Sequence, residues 1–150
     1  MKYSALDEDY AERIQDSFKK QGLMKTINAR LVKVEPGEVH IEFPFSEAIT
    51  QQHGFVHAGI LATVLDNACG YAAGTLMSPE MEVLTVEYKI NFLSPAKGEE
   101  FIALGRVVKP GRTITVCSGE VMVKEKTGYK QLVVMQSSMM SVPGQALPGK

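Results

Sequence analysis

From His57 to Met77 the chain reads HAGILATVLDNACGYAAGTLM, a predicted long helix with almost no polar face. A helix that is apolar all round has to be buried. Whatever else the chain does, it must build a cover for this helix. A length of 150 residues suits one domain, and a hydrophobic fraction of 45% supplies a real core. His57, Asp66, Asn67 and the glycines at 54, 59, 70 and 74 interrupt the apolar run, so no membrane span is expected. Asp66 is the exception to be explained. An ionised group on an apolar helix is expensive to bury unless it is paired or used.

The rest of the chain is readable as that cover. Leu6, Tyr10, Ile14 and Phe18 recur at spacings of four and predict an amphipathic helix over residues 5–21, ended near Gly22; residues 1–25 form an N-terminal helical extension. From residue 27 the period changes to two. Leu31–Val34 and the alternation Val39, Ile41, Phe43, Phe45 predict a hairpin around Glu35-Pro36-Gly37-Glu38, whose Pro-Gly centre suits a type II turn. After the long helix, Leu84, Val86, Tyr88, Ile90 and Phe92 alternate against Thr85, Glu87, Lys89 and Asn91, which predicts a half-buried strand with the large residues inside. Strands are expected at Phe101–Val108, Thr113–Lys124 and Gln131–Met140, joined by turns at Lys109-Pro110-Gly111-Arg112 and Lys126-Thr127-Gly128. Residues 142–150, rich in Pro and Gly, are expected to be a disordered tail. The predicted class is α+β: one domain with a curved antiparallel sheet around a central helix.

Two features of the long helix bear on chemistry. Residues three and four apart share a face, and the face of Asp66 carries Gly59, Ala62, Thr63, Gly70 and Ala73, all small. It leaves room for a partner helix or a ligand. The residues alone admit a packed Asp66 as readily as a functional one. The entry turn HGFVHAG exposes backbone N–H groups near Ala58, Gly59 and Ile60 at the positive end of the helix dipole, where an anion or a developing oxyanion can be held. For His53 and His57 a capping or packing role is the commoner case. Asp66 follows His57 by nine residues, so the two lie about 13–14 Å apart along one helix. One chain cannot bring both to one carbonyl; an antiparallel second copy can.

Other chemistry is not indicated. A formal charge of −1 does not point to nucleic acid or a membrane surface, and no signal peptide is expected from MKYSALDEDYAERIQ, so the expected location is cytoplasmic. Cys69 and Cys117 read as buried thiols, three scattered histidines propose no metal, and there is no Walker loop, G-x-G-x-x-G, C-x-x-C or H-E-x-x-H.

QQHGFVHAGILATVLDNACGYAA, with LTVEYKINFLSPAKGE and VVKPGRTITVCSGEVM after it, resembles the PaaI-like acyl-CoA thioesterases of the hotdog-fold superfamily over roughly residues 30–140. The resemblance implies a hotdog fold, homodimers with a continuous sheet that often pair into tetramers, and hydrolysis of acyl-CoA without a cofactor, CoA being part of the substrate. It implies Asp66 as general base or nucleophile, His57 and Gly59 as the motif histidine and second glycine, with Ala58 in place of the first. Gln51 stands where many members have Asn and could polarise the thioester carbonyl. Thr85 matches a water-positioning hydroxyl. The CoA moiety would lie along Asn91, Phe92, Leu93, Ser94, Pro95 and Lys97, and along Lys109, Pro110, Gly111, Arg112 and Thr113, with Lys89, Lys97, Lys109 and Arg112 available to its phosphates. Phe55, Met77 and Met81 are candidate walls for an aromatic or medium-chain acyl group. A hotdog hydratase is disfavoured because Tyr71, not His, stands five residues after Asp66 and the helix has no Glu. A non-catalytic acyl-CoA-binding protein on the same fold is the other alternative.

Overall fold

The computed structural model describes residues 3–148. Helix α1 (Tyr10–Lys20) and the short α2 (Gly22–Thr26) precede strands β1 (Arg30–Glu35) and β2 (Glu38–Pro44); helix α3 (Ala58–Gly74) follows, and then β3 (Met81–Phe92), β4 (Glu100–Lys109), β5 (Ile114–Glu125) and β6 (Gly128–Pro143). The six strands form one antiparallel sheet in the order β1-β2-β4-β5-β6-β3. Its inner face wraps α3, whose Val64, Leu65, Ala68, Cys69 and Ala72 have no exposed surface. Among the described residues no helix is long and apolar enough to cross a membrane.

The turn chemistry follows the sequence. Gly37 takes φ +80° in the β1–β2 turn, the left-handed value that a type II turn requires of its third residue. In β2, Val39, Ile41 and Phe43 point at the core while Glu38, His40 and Glu42 face outward. Glu38 is the hub of that outer face, bonded to Lys33, His40 and Arg106. Burial opposes its charge, but those partners win and hold its carboxyl down at about 2.

The close seating of α3 depends on a pair of glycines. Gly105 in β4 lies opposite Gly119 in β5, and the helix crosses the sheet over this pair. A Cβ on Gly105 would collide with the α3 backbone at Ala68 and Cys69. Small residues on both surfaces therefore set the distance between helix and sheet.

Three expectations need correction. The predicted helix 5–21 starts at Tyr10, and Gly22 opens α2 instead of ending helical structure; Ile14, Phe18 and Met24 are buried, so this extension is part of the core. Arg13 ties it to α3 by donating to the carbonyls of Gly74 (3.3 Å) and Met77 (3.0 Å). The tail does not loosen at residue 142: β6 continues to Pro143, a 3-10 turn spans Gly144–Ala146, and Gly144 N–H donates to Glu80 O (2.8 Å). Residues 149–150 of that expected tail lie outside the described residues.

The third correction concerns β3. It is an edge strand, and Leu84, Val86, Tyr88 and Phe92 are between 43% and 55% exposed. A bulge at Val86 also breaks the alternation, since Thr85 pairs with Met139 and Glu87 with the next residue, Ser138. The parity switches there. Met81, Val83 and Thr85 share the inner face with Met139 before the bulge; Tyr88, Ile90 and Phe92 take it afterwards. Strict alternation assigns Thr85 to the polar outer face; the bulge places it inside.

Candidate active site

The bulge delivers Thr85 to Asp66: Thr85 Oγ1 donates to Asp66 Oδ1 at 2.8 Å. Asp66 sits half-buried on α3 beside a cavity of about 170 Å³. Burial pushes its carboxyl above the ordinary aspartate value, and the Thr85 hydroxyl works in the opposite direction. A carboxylate poised between desolvation and one fixed donor is suited to take a proton from water. With Oδ1 held by Thr85, Oδ2 is left for that water.

The other end of α3 supplies donors. His57 is the N-cap residue, and its Nδ1 accepts from Gly59 N–H at 2.9 Å. Ile60 and Leu61 N–H both donate to His57 O. Of the four N–H groups that open the helix, this leaves Ala58 as the exposed donor with no partner among the described residues. Gly59 is thus occupied, and the residue that replaces the motif's first glycine is the one able to meet an oxyanion. An N-cap side chain ordinarily bonds the second or third helical N–H, so the capping histidine was the signal for this. Gln51 turns inward on itself: its Oε1 accepts from His53 N–H and its backbone closes a turn with Gly54 and Phe55. Gln51, Phe55, Ala58 and Phe92–Ala96 border a cavity of about 420 Å³.

Within one chain the site residues fall into two groups. Gln51, His57, Ala58, Gly59 and the segment 91–97 lie at one end of the sheet. Asp66 and Thr85 lie toward the other, and the turn 109–113 belongs there too, since Ser141 N–H donates to Thr113 O and Leu84, Met140 and Ile114 stand side by side. Leu84 and Phe92 are about 25 Å apart along β3. The two segments expected to hold CoA thus lie toward opposite ends of the sheet. Phe55 and the pair Met77 and Met81 likewise border different cavities. Lys89 is engaged with Asn91 Oδ1. Lys97, Lys109 and Arg112 are exposed.

The two thiols stand apart from this chemistry. Cys69 and Cys117 are fully buried, and burial pushes both up, Cys69 to about 12. They are inert thiols at neutral pH.

Residues 53–129 match the Thioesterase superfamily, more than half of the chain. The chain belongs to the thioesterase superfamily. A solved thioesterase family protein from Silicibacter pomeroyi is 47% identical, with a TM-score of 0.87, covering 90% of this chain and 99% of that one. Human acyl-coenzyme A thioesterase 13 is 33% identical over 97 residues, 63% of this chain and 67% of the relative. The Escherichia coli PaaI protein of the phenylacetic acid degradation operon shares the fold at a TM-score of 0.83 and 16% identity, covering 93% of this chain and 98% of PaaI. The sheet wrapped around α3 is the hotdog fold of this superfamily, and the chain is a thioester hydrolase by family.

Proposed function

We propose that this superfamily member hydrolyses acyl-CoA thioesters, with Asp66 as general base and the α3 terminus of a second subunit as oxyanion hole. The observation that carries the reading is the half-buried Asp66 carboxylate held by Thr85, in a chain whose open Ala58 N–H stands too far away to serve it. Water activated at Oδ2 attacks the thioester carbonyl, Ala58 N–H of the partner subunit receives the oxyanion, and the CoA thiolate leaves and takes up a proton.

Both separations are mended by the same operation. β3 is a twelve-residue strand with one unpaired edge and exposed apolar side chains, a surface that natural sheets cover. Antiparallel pairing of β3 with its two-fold copy sets the Thr85 end of one chain beside the Phe92 end of the other. Residues 91–97 of one chain then meet the turn 109–113 of the second, where Lys97, Lys109 and Arg112 can pair with CoA phosphates. The acyl group in this reading is aromatic or medium-chain, and no cofactor takes part.

Ala58→Pro tests the oxyanion role. Proline is welcome at the first helical position, where a ring carbon takes the place of the N–H hydrogen, and His57 already has the extended backbone (φ −61°, ψ 136°) that precedes proline. The variant should fold normally and lose about 10²- to 10³-fold in kcat. Mixing it, after unfolding and refolding, with Asp66→Asn then tests the shared site. Half of random dimers are mixed and each holds one intact site, so about a quarter of wild-type activity returns. Failure of the mixture to exceed either parent means that the site does not span two subunits.

Thr85→Val should lower kcat about tenfold and shift the acid limb of the kcat/KM profile to higher pH. The sign follows from the balance at Asp66: burial raises its pKa, and the Thr85 bond that opposes this is gone. An acid limb that stays in place in Thr85→Val separates Thr85 from the ionising carboxylate.

A further inference from the structure

Thr85 Oγ1 stands between two acceptors. Asp66 Oδ1 lies at 2.8 Å and Met139 Sδ at 3.5 Å. A threonine hydroxyl carries a single hydrogen, so it serves one of them at a time. Met139 pairs with Thr85 across β3 and β6, and on its other side it pairs with Thr115 of β5. It has no exposed surface, so its thioether is fixed under α3 beside the carboxylate. A core methionine ordinarily fills space, and a leucine would fill this place as well. What leucine lacks is an acceptor for the hydroxyl.

The charge on Asp66 decides which acceptor wins. The ionised carboxylate takes the Thr85 hydrogen in a charge-assisted bond, and the sulfur goes unused. A protonated Asp66 is a weaker acceptor, and with its proton on Oδ1 it donates to Thr85 Oγ1 instead. The Thr85 hydrogen then needs another partner, and Met139 Sδ is the other acceptor within reach. The sulfur therefore stabilises the protonated form alone, the form that burial of Asp66 already favours. The other titratable groups around Asp66 are Glu82 of β3 and Tyr71 and Cys69 of α3, with Cys117 of β5 beneath the helix; the N-terminal extension brings only the neutral Ser17 and Gln21 to the cavity. All of these stay in place when Met139 is replaced.

Resting on the general-base reading above, we propose that Met139 is a positioning residue for hydrolysis, receiving the Thr85 hydroxyl while Asp66 holds the proton it has taken from water. In that step one O–H bond of water breaks, the proton goes to Asp66 and the oxygen bonds to the thioester carbon. When the C–S bond breaks, Asp66 passes its proton to the CoA sulfur, the acid product ionises to solvent, and Thr85 turns back to the carboxylate.

Met139→Leu keeps the volume and removes the acceptor. Only the protonated form loses a bond, so the acid limb of the kcat/KM profile should move to lower pH by about 0.3–0.5 unit, opposite in sign to the shift expected of Thr85→Val. In a Thr85→Val background the same substitution should move nothing, because the hydroxyl that links sulfur to carboxylate is gone. A packing defect at Met139 would act in both backgrounds. Carbon-13 NMR titration of the Asp66 carboxyl in wild type, the two single variants and the double variant reads the same shifts without turnover. A shift of equal size in both backgrounds, a shift to higher pH, or no shift in Met139→Leu overturns the proposal. A wild-type chain that hydrolyses no acyl-CoA removes the general-base reading, while the NMR titration still decides whether the Met139 sulfur acts on Asp66 through Thr85.

Discussion

Replacing Asp66 by Asn is expected to lower kcat by about 10²- to 10⁴-fold while leaving a folded protein that still binds acyl-CoA. Asparagine keeps the shape of the side chain and an oxygen for the Thr85 hydroxyl, so the 2.8 Å contact can persist. What disappears is the ability to accept a proton. Stability should move the other way. The folded-state pKa of Asp66 is raised, chiefly by burial, so its contribution to stability is fully present at low pH and is lost as pH rises through that pKa. At neutral pH the wild type carries a desolvated charge that the variant lacks. Asp66→Asn should therefore melt no lower than wild type at neutral pH, and its advantage should shrink on acidification. Thiol release with thermal unfolding across pH reads both effects; undiminished turnover would remove Asp66 from the chemistry.

The second large effect is one of packing. Gly105→Ala should destabilise the protein by about 3 kcal/mol or more, because the added methyl group meets backbone atoms of α3 that cannot rotate away. Gly119→Ala is the internal control. Its Cβ would come within 2.7 Å of Leu65 Cδ1 and 2.8 Å of Cys69 Sγ, both ends of side chains, with the nearest backbone atom, Leu104 O, at 3.1 Å, and a smaller loss of about 1–2 kcal/mol is expected. Denaturant unfolding of the two variants should separate them clearly. Equal midpoints would mean that α3 is not seated on this glycine pair. Since α3 carries both Asp66 and Ala58, a lifted helix should also lower activity in whatever fraction stays folded.

How much of this was legible beforehand varies with the kind of constraint. Binary patterning revealed the buried helix, five of the six strands closely, and the Pro36-Gly37 turn, because apolar periodicity and turn chemistry are local properties. It failed at β3, where the apolar set at 84, 86, 88, 90 and 92 looked like one buried face. One extra residue at Val86 splits that set across two faces and carries Thr85 inward. A bulge depends on the partner strand, so no local period announces it. The helix spacing already places His57 and Asp66 far apart on one helix, and α3 holds them so, at its N-cap and in its middle. It could not tell which N–H stays open, since that depends on which way the His57 ring folds back.

Gln21 shows the same division from the other side. In sequence it is the last residue before a glycine at the end of an amphipathic helix. Only the packing of α1 and α2 across α3 brings it onto Asn67 and Tyr71, beside a carboxylate 45 positions later. Residue pattern was enough to require that an apolar helix be wrapped by an antiparallel sheet and that its one carboxylate have a purpose, because burial and periodicity are written residue by residue. The tertiary structure alone decided what that carboxylate touches, which helix N–H stays open, and what walls the cavity beside it, because those contacts join segments that only the folded sheet brings together.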